Sequence, residues 1–344
     1  MTTILESLNL TLHDVLATDQ RVVLLGEDIL DPYGGAFKVT HGISTAFPDR
    51  TFTTPVSEAG ILGVATGMAL RGLRPVVEIM FGDFLTLLAD QVINHATKFR
   101  FMYNDQVSVP LVIRVPMGGR RGYGPTHSQT LEKLFLGTPG LKVLAINNLT
   151  DPGQILFKAI LHDDDPVLFV ENKILYSQSI LDENETSDFI ITTYLSQNQS
   201  VSGLLADQYA PTLHLQLRDA PEPNLTITTY GYMAELCRQA ALQLAYEDEL
   251  FVDLVVITQL SPFTIDPIYK AVRRTHRLLV VEEGTYTMGW GAEILARSVE
   301  NFGEEIYKIQ RVAALDSPIP ASRSLENAVL PDIEDIVHTV KMMV

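Results

Sequence analysis

Four segments of this chain combine residue types that could do chemistry, each at a junction between strand-like and helix-like stretches. Thr54-Pro55-Val56-Ser57-Glu58-Ala59-Gly60 places a carboxylate at one such junction. Locally it reads as Ser57 capping a helix with Glu58 in the first turn, where the helix dipole favours negative charge. If neighbouring strands bring apolar Met80, Phe81 and Phe84 alongside, the same carboxyl is pushed upward and can exchange a proton near neutrality. Met117–Gln129 holds four glycines, Arg120, Arg121 and His127 within thirteen residues. That is a poor packing segment, suited to a mobile loop gripping an anion, although a histidine on a loop is often merely solvated. Ala159–Pro166 ends a helix with Asp163, Asp164 and Asp165. Three acids there oppose the helix dipole unless solvent or a monovalent cation relieves them, and the two remain equally open. Glu283–Ile294 contains G-x-G, but Ile294 stands where a dinucleotide fingerprint requires Gly or Ala, so close helix–strand packing explains these glycines. A P-loop and the metal spacing H-E-x-x-H are both absent.

The elements that must position these groups alternate. A helix over 3–19 is followed by strands 21–27 and 51–56, helix 60–71, strand 74–80 and a long helix 84–103, in which Phe84, Leu88, Val92 and Ala96 form one stripe. Strands 110–116 and 142–146, helix 151–162 and strand 166–171 follow. Short, almost wholly apolar strands between helices predict a parallel sheet covered on both faces, with ligands at the carboxyl ends of its strands. The pattern restarts at 225 with strands 225–230, 252–260, 277–283 and 306–312 and helices 233–246, 266–276, 291–302 and 332–343. The expectation is an α/β chain of two doubly wound domains: 1–181, a connection over 182–223 and 224–344. The connection is polar (DENETSDF, SQNQSVSG, APEP), with IITTYL and TLHLQL as candidate edge strands.

Composition limits the partners. With 46% hydrophobic and 19% charged residues, 344 residues can bury two cores. A formal charge of −17 repels phosphates and argues against nucleic acid; it suits solubility or a basic protein partner. The single cysteine, Cys237, permits no internal disulfide. The start of the chain lacks the basic and apolar blocks of a secretory signal, and no apolar run reaches the length of about 18 residues read as a membrane span. A soluble, cytoplasmic protein without a membrane partner is expected.

Taken in order, Gly26-Glu27-Asp28, Tyr33–Thr40, Thr54–Glu58, Gly72-Leu73-Arg74-Pro75, Asp90–Asn94, His127-Ser128-Gln129, Pro139–Val143, Asp163–Pro166, Thr229-Tyr230-Gly231, Glu282-Glu283-Gly284, Gly291-Ala292-Glu293 and Pro318-Ile319-Pro320 resemble one family over almost the whole length. That family is the β subunit of the thiamine-diphosphate-dependent decarboxylating component of 2-oxo acid dehydrogenases. The resemblance implies a pyrimidine-binding domain followed by a transketolase C-terminal-like domain, in an α2β2 tetramer. It implies that Glu58 hydrogen-bonds a pyrimidine ring nitrogen of the cofactor and so activates it. Met80 and Phe84 would pack on that ring, and His127 would stand near the substrate and the lipoyl arm and assist acyl transfer. Leu111, Ile160, Leu161, Asp163 and Asp165 would form a potassium site, largely from backbone carbonyls. Mg²⁺ and the diphosphate would be held by the α subunit, consistent with the lack here of the thiamine-enzyme G-D-G…N signature. An acyltransferase core, or a carrier with a lipoyl-type arm, would be the further partner. Arg120-Arg121, Asn147–Thr150 and Gly289-Trp290 depart from the family pattern and leave the acyl group and acceptor open. The competing readings are a non-catalytic scaffold or regulatory paralogue, disfavoured by the joint presence of Glu58, Phe84 and His127, and a nucleotide-binding oxidoreductase, disfavoured by the missing glycine fingerprint.

Overall fold

The computed structural model describes residues 2–195 and 209–344, and the polar stretch 196–203 of the expected connection lies outside them. The first half contributes β1 (Val22–Gly26), β2 (Thr51–Thr53), β3 (Arg74–Glu78), β4 (Val112–Met117), β5 (Lys142–Ala145) and β6 (Val167–Asn172). The second contributes β7 (Phe189–Tyr194), β8 (Thr212–Leu217), β9 (Leu225–Thr229), β10 (Val252–Ile257), β11 (Gln259–Ser261), β12 (Arg277–Thr285) and β13 (Lys308–Ala314).

Every position of β1, β3, β4 and β6 is buried, as a sheet covered on both faces requires. Their sheet runs β11-β5-β6-β4-β3-β1-β2 and is parallel except for β11. Successive residues point to opposite faces. Val76 packs with Leu8, Leu12 and Leu156 from helices Ile4–Thr18 and Pro152–His162. Val77 packs with Leu62 and Leu88 on the other face. The second sheet runs β13-β12-β9-β10-β8-β7, its first four strands parallel and the last two antiparallel. The apolar core containing Val77 continues into this half through Val280, Ile268 and Ile294.

Three features differ from the sequence expectation. The stretch expected as one strand over 252–260 divides: β10 stays in the second sheet while β11 pairs antiparallel with β5 of the first. The two halves thus share a sheet edge. Both candidate edge strands of the connection are strands of the second sheet, but only β7 is at its edge; β8 lies inside, between β10 and β7. The helix expected over 84–103 is broken into a 3₁₀ turn Gly82–Phe84, a helix Leu85–Asp90, a π-helical turn Gln91–Ala96 and a short helix Phe99–Met102. Thr97 explains the wide turn. Its amide reaches back five residues to the Val92 carbonyl at 3.2 Å, and its hydroxyl donates to the same oxygen at 2.9 Å. Leu88, Val92 and Ala96 remain buried, while Phe84 is turned only half inward.

A buried ionic network crosses the middle of the first sheet. Arg114 on β4 donates to both oxygens of Glu171 at 2.8 Å and to Glu78 Oε2 at 2.7 Å, and the Tyr176 hydroxyl donates to Glu171 at 2.6 Å. Burial pushes the Glu78 carboxyl up while Arg114 pulls it down. Gly35 faces this group at φ +79°, where a Cβ would collide with Glu78 Oε1. The network therefore also seats the Gly34-Gly35 loop against the carboxyl end of the sheet.

Candidate active site

The carboxyl ends of the paired strands β1 and β2 bring two acids together. The Thr54 amide donates to the Gly26 carbonyl at 3.1 Å, tying the chain after β2 to the end of β1. Ser57 precedes the helix Glu58–Leu70, but its side chain makes no capping bond; Glu58 is the first helical residue and is 4% exposed. Beside it Glu27 is 7% exposed, and the Ser57 amide donates to its carboxylate. Burial is the main force pushing the Glu27 carboxyl up, and the charge of Glu58 adds to it. Glu27 Oε1 and Thr54 Oγ1 are buried without a partner among the described residues. Buried polar atoms left open in this way are an invitation to a polar ligand. Glu27 was legible only as part of Gly26-Glu27-Asp28, a strand ending in glycine and acid.

An aromatic wall stands at the end of β3. Phe81 is its hub, with ring centroids 5.6 Å from Phe37, 5.9 Å from Phe84, 6.0 Å from Tyr123 and 4.7 Å from the imidazole of His127. Phe84 lies 5.4 Å from the same imidazole, so two of the expected site residues do meet. Met80, half-buried, immediately precedes this hub. The centre of the wall is Phe81, a flanking residue in the sequence expectation.

The glycine-rich loop is held rather than loose. Glu283, from the second half, accepts from the Gly119 amide at 2.7 Å and from Asn172 Nδ2 at 3.0 Å. Glu326 accepts from the amides of Arg120 and Gly122 at 2.8 and 3.1 Å. Asp83 accepts from Gln129 Nε2 at 2.7 Å, and the Lys173 ammonium donates to the His127 carbonyl. At Gly118, φ is +91° and a Cβ would lie 2.5 Å from Asn172 Nδ2, so glycine is required for the loop to pass this closely. The expectation of a mobile loop gripping an anion is corrected in one respect: Arg120 is spent on the Pro331 carbonyl and the Tyr232 ring. The exposed Arg121 lies over the Phe37 ring, 5.8 Å away.

The glycines of Glu283–Ile294 make room for a carboxylate. A Cβ at Gly289 or Gly291 would lie 2.5 or 2.7 Å from Glu282 Oε1, and the Gly291 amide donates to that oxygen at 2.9 Å. Burial pushes the Glu282 carboxyl up to about 7. Helix–strand packing, expected at these glycines, is therefore packing around a buried acid.

The five residues expected to hold potassium gather around the turn between the helix Pro152–His162 and β6, where cations of the chain itself take up several of their oxygens. Arg74 donates to the carbonyls of Ile160 and Asp163 at 3.0 and 2.8 Å. The Leu111 carbonyl accepts from the Val167 amide at 2.8 Å, and Asp165 pairs with Arg100 at 2.6 Å. Lys142 pairs with Asp163 at 2.6 Å, while Leu161 lies in the last helical turn. The charge relief that three aspartates demand at a helix end thus comes from Arg74, Arg100 and Lys142. Sequence alone could not match acids at 163–165 with cations from other elements. An ion present at a hundred times its Kd would add about 2.7 kcal/mol to stability. Thermal melts in potassium chloride and in choline chloride are expected to agree within about 1 °C, and a drop of several degrees without potassium overturns this assignment.

This architecture, with acids and an aromatic wall at the carboxyl edge of a parallel sheet, is that of the transketolase-type enzymes. Residues 1–178 match the family described as "Transketolase, pyrimidine binding domain", and residues 216–336 match "Transketolase, C-terminal domain". A solved structure described as a split gene transketolase, inactive beta4 tetramer, superposes with a TM-score of 0.74 over 100% of this chain and 98% of its own. At 17% identity that likeness concerns the fold alone. The chain is 34% identical over 341 residues to subunit beta-1 of the mitochondrial pyruvate dehydrogenase E1 component of Arabidopsis thaliana, covering 98% of this chain and 88% of the relative. It is 33% identical over 343 residues to the E1 subunit beta of Rickettsia bellii, covering 98% and 97%. The chain belongs to the family of pyruvate dehydrogenase E1 β subunits, within the thiamine-diphosphate-dependent 2-oxo acid dehydrogenases.

Proposed function

We propose that this chain supplies one half of a thiamine diphosphate site that decarboxylates a pyruvate-like 2-oxo acid, and that it is active only with an α-type chain in an α2β2 assembly. The observation that carries the reading is the buried Glu58 beside Glu27, whose Oε1 is left open, at the end of β1, the strand next to β3 and its Phe81 wall. These groups suit an aminopyrimidine ring, which needs a carboxylate at its edge and an apolar surface at its face. When bound, thiamine diphosphate supplies the nucleophilic carbon and accepts the electron pair left as CO₂ departs. In this chain Glu58 would hold a proton on the ring's edge, Phe81, Phe84 and Met80 would exclude water, and His127 would stand where the acyl group leaves for a lipoyl or carrier arm.

Mg²⁺ and the diphosphate are assigned to the α-type partner. Among the described residues no group of three His, Cys, Asp or Glu is arranged to hold a metal. The −17 charge favours encounter with a basic acyltransferase core. The test is reconstitution. With an α-type chain bearing G-D-G…N, the pair is expected to release CO₂ from 2-oxo acids and to bind thiamine diphosphate in a calorimetric titration, whereas this chain alone does neither. Equal activity from the lone chain, or none from the pair with any 2-oxo acid, removes the reading.

A further inference from the structure

Lys173 follows β6 directly, and its side chain is completely buried. An ammonium in such a place needs partners, since desolvation of an unpaired charge is costly. Its direct contacts among the described residues belong to the His127 loop and the aromatic wall. The ammonium donates to the His127 carbonyl, lies 5.3 Å from the Phe81 centroid and 5.5 Å from that of Tyr123, and the Lys173 amide donates to the Met117 carbonyl at 3.0 Å. Phe81 in turn lies against the His127 imidazole. One cation thus grips both the backbone of His127 and the ring on which its side chain rests.

We propose that Lys173 is the positioning residue for His127, fixing where the imidazole stands for the acyl-transfer step. This rests on the functional reading above. Lys173 acts through His127 and not on the reacting atoms, so its loss falls mainly on the acceptor step and reaches decarboxylation only weakly, through the Phe81 ring. The charges of Asp83, Glu283 and Glu326 favour the ammonium, that of Arg121 opposes it, and the Tyr123 ring and the His127 carbonyl lie against it. Burial brings its pKa down to about 8. The charged clamp is therefore full below that pH and fades as pH rises through it.

The assay uses the reconstituted α–β complex, with CO₂ release to an artificial electron acceptor read separately from transfer to a lipoyl domain. Lys173→Met is expected to leave the first within about twofold and to lower the second about tenfold or more. Added to His127→Ala, it should lower transfer no further, because both act at one place. Hydrogen exchange over residues 118–130 should quicken in Lys173→Met. Lys173→Arg, which stays charged, should restore transfer and remove the decline above about pH 8 expected of the wild type. Exchange over 118–130 unchanged by Lys173→Met, additive losses with His127→Ala, or a wild-type pH profile in Lys173→Arg each overturn the proposal. Failure of the wild-type pair to release CO₂ at all would instead count against the functional reading. If Lys173→Met does not fold, the pH profile of Lys173→Arg alone decides.

Discussion

Turnover of the reconstituted enzyme is expected to fall about a thousandfold when Glu58 is replaced by Gln, a loss of about 4 kcal/mol in transition-state stabilisation. Gln keeps the shape and volume of Glu at the first position of the helix Glu58–Leu70 but cannot hold and release a proton. Assembly should be untouched, because no structural ion pair of the chain depends on this side chain among the described residues. A secondary effect has a defined sign. Glu58 helps to push the Glu27 carboxyl up, so in Glu58→Gln the Glu27 carboxyl should titrate lower than in the wild type. The paired measurement is steady-state CO₂ release and sedimentation of the complex. A variant that assembles and turns over at the wild-type rate takes Glu58 out of the mechanism.

The largest loss of stability is expected at Arg114. Arg114→Met leaves Glu78 and Glu171 facing each other inside the sheet without their cation. Breaking a buried pair from one side typically costs about 3–5 kcal/mol, since the surviving charge stays desolvated. The pH dependence follows from the carboxyls. Burial already holds Glu78 above its ordinary value, and without Arg114 it should rise further. A carboxyl raised in the folded state costs stability as pH climbs above its unfolded value of about 4.3, so the deficit should be greatest at neutral pH and shrink on acidification. Urea midpoints at pH 7 and pH 5 test this, and a loss below about 1 kcal/mol at pH 7 would contradict it. Since the same network seats Gly35, the variant should also weaken cofactor binding by the assembled pair.

Much of this protein is legible in one dimension wherever a local rule suffices. Apolar runs such as VVLLG and VIRVPM can only be buried on both faces, and a strand, a Ser57 and a Glu58 in succession already place a carboxylate at the ligand edge of a parallel sheet. Thr3 with Glu6 and Asp332 with Asp335 mark helix starts through the capping box. The wide turn at Thr97 shows the limit, because periodicity counts apolar positions and is blind to a hydroxyl competing for a backbone oxygen.

Tertiary structure alone decided which charges meet. Glu58 and Glu27 are separated by the whole of β2, Arg74 and Arg100 come from other elements to the aspartates at 163–165, and Lys173 reaches His127 across two strand ends. Electrostatic partnership depends on distance and burial, which pattern along a chain does not encode; hydrophobic alternation does encode the faces of a sheet. That is why the fold and the position of Glu58 belong to the sequence, while the acid pair, the self-supplied cations and the clamp on His127 exist only once the chain has folded.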